Sequence, residues 1–239
     1  MSTALLAALI LAAAPAPATA EVPFVGCATD GQLGFIAPPE RKEIRDIPAT
    51  GAPGLAYYAT RSTGTLAPAG WHCFGAHGSN GERLVIAPEP LDFDKVRGME
   101  IRLTGPAVEM DQEYGFTSGR YAILPMIERY FPAHRAFVHD AASPEDPPRP
   151  AEERSADWVL PLGTDAIAFE TPAEKEGIGT LNGLAPGAHR ISGLVMLHPE
   201  DDMTMRTLSV RLGAANQALE RAILESTAAA RGITLPAPQ

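Results

Sequence analysis

The sequence predicts an α+β protein built from antiparallel strands and hairpins with two main helices, in a sandwich-like arrangement. Three observations lead there. Short apolar runs bounded by Gly and Pro recur, as in Leu55–Ala59 and Arg83–Ala87, which is how buried strands read. Around residue 110 the side chains alternate, with Val108, Met110, Gln112 and Tyr114 on one face and Glu109, Asp111 and Glu113 on the other. Helical spacing is confined to two segments, one after Ser118 and one at the C-terminal end. Each half therefore runs from strands and a hairpin to a helix, an order that favours helices packed on antiparallel sheet.

The chain opens MSTALLAALILAAAPAPATA, an apolar run followed by Pro15, Pro17 and Ala18-Thr19-Ala20. That is the form of a secretory signal peptide with an A-x-A cleavage site, here without Lys or Arg ahead of the apolar run. Cleavage after Ala20 is expected, with an uncleaved anchor as the alternative. It leaves about 219 residues, read as a single α+β domain in two halves, residues 21–239. No later apolar run approaches the ~20 residues that span a bilayer, so no membrane insertion is expected after cleavage.

From Val22 to Pro53 the composition is rich in Pro, Gly and charge without a steady period, which predicts an irregular arm with one short strand. Met99, Ile101 and Leu103 alternate with Glu100 and Arg102 and predict another strand. In SGRYAILPMIERYFPAHRAFVHDA, Pro125 interrupts the helical spacing, which predicts a kink or a helix beginning near Leu124. Residues 141–155, AASPEDPPRPAEERS, form a Pro-rich loop or linker. Asp165–Thr171 reads as a strand, and Ile191–Leu197 with Thr207–Leu212 reads as a hairpin with the acidic tip HPEDDMTMR. A closing helix spans about Ala214–Arg231, with Gly232 as its stop.

The formal charge is −10, from 29 acidic and 19 basic residues, with no basic run longer than Arg41-Lys42. A polyanion surface needs clustered cations, so nucleic acid is not an expected partner. An exported chain with two cysteines, Cys27 and Cys73, reads as one disulfide, because the compartment beyond the inner membrane is oxidising. Closing a loop of about 47 residues is worth on the order of 4 kcal/mol on the chain-entropy model. Phe24-Val25-Gly26-Cys27 as a lipoprotein box fails on position, since Pro15–Pro23 and Glu21 intervene after the apolar run.

Gly70–Gly81, GWHCFGAHGSNG, concentrates reactive residue types. His72 neighbours Cys73, but adjacent strand residues point to opposite faces. Ser79 sits in His77-Gly78-Ser79-Asn80-Gly81, close to a nucleophile elbow but with His in place of the first glycine and a strand following rather than a helix. The simpler reading is a hairpin turning at Ser79-Asn80-Gly81, with His77 and Ser79 as ligand candidates. His72 and His77, like His134 and His139, are five apart, about 140° off one helical face, so no histidine pair has metalloprotease spacing. His198 lies beside Glu200, Asp201 and Asp202 and reads as a solvated hairpin tip. No metal site is expected. Glu109, Asp111 and Glu113 read as the wet side of a sheet, with a cation site or a raised carboxylate pKa as the alternative if buried. Glu174 and Glu176 in TPAEKEGIGT complete the ligand candidates, because a Gly-rich turn can present carboxylates. No phosphate loop, dinucleotide fingerprint or catalytic triad order is present, and no cofactor is expected.

APAGWHCFGAHGSNG, FTSGRYAILPMIERYFPAHRAFV and TPAEKEGIGT followed by LSVRL together resemble an uncharacterised family of exported bacterial proteins. GWHCFG and T-P-A-x-x-E-G-x-G-T are its distinctive stretches. The resemblance covers most of the mature chain and implies export; the family carries no assigned activity, so it implies no catalytic residue. The expected function is an exported, non-catalytic periplasmic or envelope binding module for a small molecule or an envelope protein. The alternative is a secreted hydrolase that joins Ser79 or Cys73 to one of His72, His77 or His139.

Overall fold

The computed structural model describes residues 21–48, 51–98, 100–142, 156–213 and 216–237. The signal segment, most of the Pro-rich stretch, Met99 and the predicted start of the last helix lie outside them. Strands β1 (Phe24–Gly26), β3 (Leu55–Ala59) and β4 (Gly64–Pro68) form a three-stranded sheet. An eight-stranded sheet takes β2 (Thr29–Gly31), β5 (His72–Gly78), β6 (Gly81–Ala87), β7 (Ala107–Glu113), β8 (Trp158–Pro161), β9 (Ala166–Thr171), β10 (Ile191–His198) and β11 (Thr204–Arg211). Its order is β2-β5-β6-β7-β11-β10-β9-β8. The two halves of the chain thus contribute four strands each and meet where β7 pairs antiparallel with β11, Met110 opposite Leu208.

The helices α1 (Phe93–Arg97), α2 (Arg120–Tyr130), α3 (Arg135–Ala141) and α4 (Gln217–Ala229) divide between the faces of this sheet. On one face Leu84, Ile86, Val108, Met110, Leu194 and Met196 share a core with Tyr57, Tyr58 and Leu66 of the small sheet and with Ile223 and Ala228 of α4. On the other, Ile167, Phe169, Val195 and Leu197 pack against Ile123, Leu124 and Ile127 of α2 and Val138 of α3. Phe74, Ala76 and Val85 meet Val96 of α1 and Ile101 there. Alternation along the central strands therefore feeds two cores, with β7 the exception, since it carries buried Glu109 and Asp111 on its helix-covered face.

The α+β class holds, and most pairs are antiparallel, but β1 runs parallel to β3 and β2 parallel to β5. Both parallel pairs come from the N-terminal arm, which has two short strands and a 3-10 turn at Arg41–Glu43 rather than one strand. Ile101 is buried as its alternation predicts, yet residues 100–103 form no strand of a sheet. Leu103 instead makes a single parallel bridge to Leu184. Helix α2 starts at Arg120, four residues before the start near Leu124 that the proline suggests, and carries Pro125 inside it. Its first turn is closed by Ala122 and Ile123 amides on the Gly119 carbonyl, and packing of Ile123, Leu124 and Ile127 outweighs the bond that proline removes. Helix α4 ends as predicted: Gly232 takes φ 67°, and the Ile233 amide returns to the Ala228 carbonyl at 3.0 Å.

Cys27 is bonded to Cys73. It lies between β1 and β2, where the arm leaves the small sheet and joins the large one, and its amide donates to Ala59 of β3 at 2.7 Å. The bond fixes that crossing. Replacing both cysteines by serine is predicted to lower stability by about 4 kcal/mol, read as a lower urea midpoint. An unchanged midpoint, or two free thiols in the denatured unreduced protein, would contradict this role.

Candidate functional site

The acidic row of β7 is buried, contrary to its reading as the wet side of a sheet: Glu109, Asp111 and Glu113 are 1%, 2% and 8% exposed. Arg83, opposite Asp111 on β6, makes this possible, with its Nε 2.9 Å from Asp111 and 3.0 Å from Glu109. A second layer comes from the chain after TPAEKEGIGT. The Gly183 amide donates to both Glu109 oxygens, at 2.8 and 3.1 Å. A Cβ at Gly183 would sit 2.6 Å from Glu109 Oε1, so only glycine brings the amide that close. Arg211, fully buried, donates to the carbonyls of Leu103, Gly105 and Ala185 and pins this cover from its far side.

Burial would lower Arg83, but Asp111, Glu109 and Glu113 hold it charged. Burial first, then Asp111, pushes Glu109 up against the pull of Arg83 and two backbone amides. Burial also raises Asp111, opposed by Arg83 and Asn182. Glu113 is pushed up to about 7 by burial and Asp111, with Arg83 opposing. This row is an internal charge cluster: Arg83 engages Glu109 and one oxygen of Asp111, and the Gly183 amide engages Glu109, while Asp111 Oδ2 is buried without a hydrogen bond among the described residues.

The motif residues serve the fold. Ser79-Asn80 is the two-residue connection of the β5–β6 hairpin. Ser79 Oγ lies 3.2 Å from Ser118 Oγ, while His77 Nε2 accepts from the Leu33 amide at 3.1 Å. Cys73 is held in the disulfide, and His72 and His139 are exposed. His134 pairs with Asp165 at 2.5 Å. The structure brings none of these together as a nucleophile and base. In TPAEKEGIGT, Glu174 and Glu176 are exposed, and Glu176 accepts from the Thr180 hydroxyl at 2.7 Å. Asp157 accepts from the Ile178 amide and the Thr171 hydroxyl, and the Thr171 oxygen accepts from the Gly179 amide. The motif is a hydrogen-bonded turn that delivers Gly183 to Glu109.

The opposite face of the large sheet holds a cavity of about 650 Å³, within the range of small-molecule sites. It lies between that face and the small sheet, closed at one end by the C-terminal turn of α4. Apolar walls come from Leu66, Met110, Met196, Ile44 and Ile47. Four arginines (Arg45, Arg61, Arg206, Arg231) and two carboxylates (Glu43, Asp46) line it, a positive excess in a chain of charge −10. Arg61 is engaged by Glu43 and Arg231 by Glu200.

Three polar groups there lack a partner among the described residues. His198, at the end of β10, is 2% exposed and its Nε2 is buried without a hydrogen bond. Arg206 of β11, diagonal to His198 across the β10–β11 pair, donates its Nε to Gln112 Oε1 at 2.8 Å. No carboxylate among the described residues pairs with its Nη nitrogens. The Tyr57 hydroxyl is the third, and burial and Asp46 push its pKa up to about 12 against Arg206. Burial, then Arg206 and Arg231, drives His198 down to about 4 despite Glu200 and Asp201, so it is neutral at pH 7.

His198 is thus part of a buried wall, not the solvated tip its neighbours in sequence suggest. Glu200, Asp201 and Asp202 stay exposed at the tip, where Asp202 and Met203 both take left-handed φ, 51° and 55°. His198, Glu200 and Asp201 place one ligand atom each within 4.8 Å of one another. A cation there would compete with Arg231 for Glu200 and face the field of Arg206, so the geometry disfavours it. The cavity residues come from five separate segments and share no motif; an arginine and a histidine flanking the β10–β11 turn are the only trace in the sequence. Family models, curated proteins and solved structures were compared with the chain, and none matches.

A carboxylate whose folded pKa is raised destabilises the fold as pH climbs from its unfolded value toward the folded one. For Glu113 that window runs from about 4.5 to about 7. Glu113→Gln is therefore predicted to match the wild type at pH 4 and to exceed it above pH 7 by roughly 3 kcal/mol at most. Urea midpoints across pH 4–8 measure this, and a difference that shrinks with rising pH would refute it.

Proposed function

We propose that this chain is an exported, non-catalytic binding module whose small-molecule ligand occupies the cavity between the two sheets. The observation that carries the reading is the convergence of Tyr57, His198 and Arg206 on one cavity, with His198 Nε2 buried without a hydrogen bond and no partner among the described residues for the Tyr57 hydroxyl or the Arg206 Nη nitrogens. A buried polar atom such as His198 Nε2 is nearly always satisfied, and a ligand in the cavity would satisfy it. The disulfide supports export, because such a bond persists in an oxidising compartment. Among the described residues no helix is long and apolar enough to cross a membrane. Under this reading the fold is a sandwich-like frame whose two sheets clasp the ligand, with the disulfide holding the arm that joins them.

The test is extraction. Mature protein purified from its native compartment is denatured, and the released small molecules are identified by mass spectrometry. A near-stoichiometric compound is expected from the wild type and at least tenfold less from Met196→Trp, which fills the cavity. Equal recovery from both proteins, or a compound recovered chemically altered after incubation with the protein, would contradict the proposal.

A further inference from the structure

Resting on the reading of this cavity as the binding site, we infer that its ligand is an amphipathic monocarboxylate, with the carboxylate on Arg206 and the apolar body against Met110, Met196 and Leu66. The charge argument comes first. Of the cavity's four arginines, Arg61 and Arg231 are neutralised by Glu43 and Glu200, and Arg45 is exposed on the bordering segment. Arg206 is half-buried on a central strand and, among the described residues, spends only its Nε, on a neutral amide oxygen. Its Nη1 and Nη2 form the end-on fork that matches a carboxylate in two parallel hydrogen bonds. A single such fork specifies one negative charge.

Position supports the same ligand. Gln112 holds the guanidinium from β7, and its own Nε2 is 3.2 Å from the Tyr114 hydroxyl, so the fork is fixed before anything binds. Tyr57 adds a donor on the small-sheet side and His198 Nε2 a third polar contact at the buried end. Asp46 stands on the segment that borders the cavity, where it would repel a second negative charge on the ligand. Beyond the head group the wall is Met110, Met196, Leu66 and Ile47. Methionine pairs adapt to aliphatic or aromatic shapes alike, so the head group is specified more tightly than the body.

The experiment is calorimetric titration of the full mature chain with dodecanoate, 1-dodecanol and dodecyltrimethylammonium, each below its micelle concentration. Dodecanoate is expected to bind one per chain, at least tenfold more tightly than the alcohol, with the ammonium weakest. Arg206→Gln is expected to reduce dodecanoate affinity at least tenfold and to leave the alcohol unchanged. Tyr57→Phe should cost a few-fold, and Arg135→Gln, on the far face, nothing. Should Arg206→Gln not fold, the order of the three ligands on the wild type decides alone. Equal binding of alcohol and carboxylate, preference for the ammonium, or binding of none of them overturns the carboxylate assignment. In each case the extraction test still judges the cavity as a binding site, so the two failures are distinguishable.

Discussion

One guanidinium, that of Arg83, allows the most acidic strand of the chain to lie at the centre of the sheet. Without it, β7 would carry Glu109 and Asp111 into a covered layer with no positive partner, and a buried unpaired charge costs several kcal/mol. With it, β7 can join β6 on one side and β11 on the other, so that the two halves become one sheet. Everything on the opposite face follows from that register. The strand that turns Glu109 and Asp111 toward Arg83 turns Met110 and Gln112 toward the cavity, where one forms wall and the other holds Arg206. A one-residue slip would exchange the two faces and destroy both.

The two faces therefore differ in kind. On the helix-covered face most of the charge is answered inside the protein, by Arg83, the Gly183 amide and the three carbonyls around Arg211, while Asp111 Oδ2 keeps no hydrogen bond among the described residues. On the cavity face, Tyr57, His198 and Arg206 keep polar atoms without protein partners. Buried groups in the first condition stabilise a unique packing; those in the second are poised for something outside the chain.

Local pattern was legible in the sequence and long-range placement was not. Alternation through 108–114 and the apolar runs at 191–197 and 207–212 located the central strands, and Gly232 located the end of α4, because these depend on neighbours two to four residues apart. The Cys27–Cys73 pairing followed from compartment and count. Of the two readings at Pro125, a kink or a start near Leu124, the second fails, since propensity near a proline yielded to the packing of Ile123 and Ile127. The acidic row misled for a similar reason: Arg83 lies 26 residues or more away in sequence, and only strand pairing shows that it sits opposite Asp111. GWHCFGAHGSNG and TPAEKEGIGT drew attention as chemistry and serve as a disulfide-anchored hairpin and a turn that sets Gly183. Tyr57, His198 and Arg206, drawn from three strands, had no spacing by which to be found.

Carbon-13 labelling of the methionine methyl groups gives the most direct measurement of the central claim, because Met110 and Met196 line the cavity while Met126 and Met205 pack on the opposite face. Titration with an amphipathic carboxylate should shift the Met110 and Met196 methyl resonances together to saturation and leave Met126 and Met205 in place. Movement of Met126 and Met205 instead, or of no methyl at all, would contradict the account.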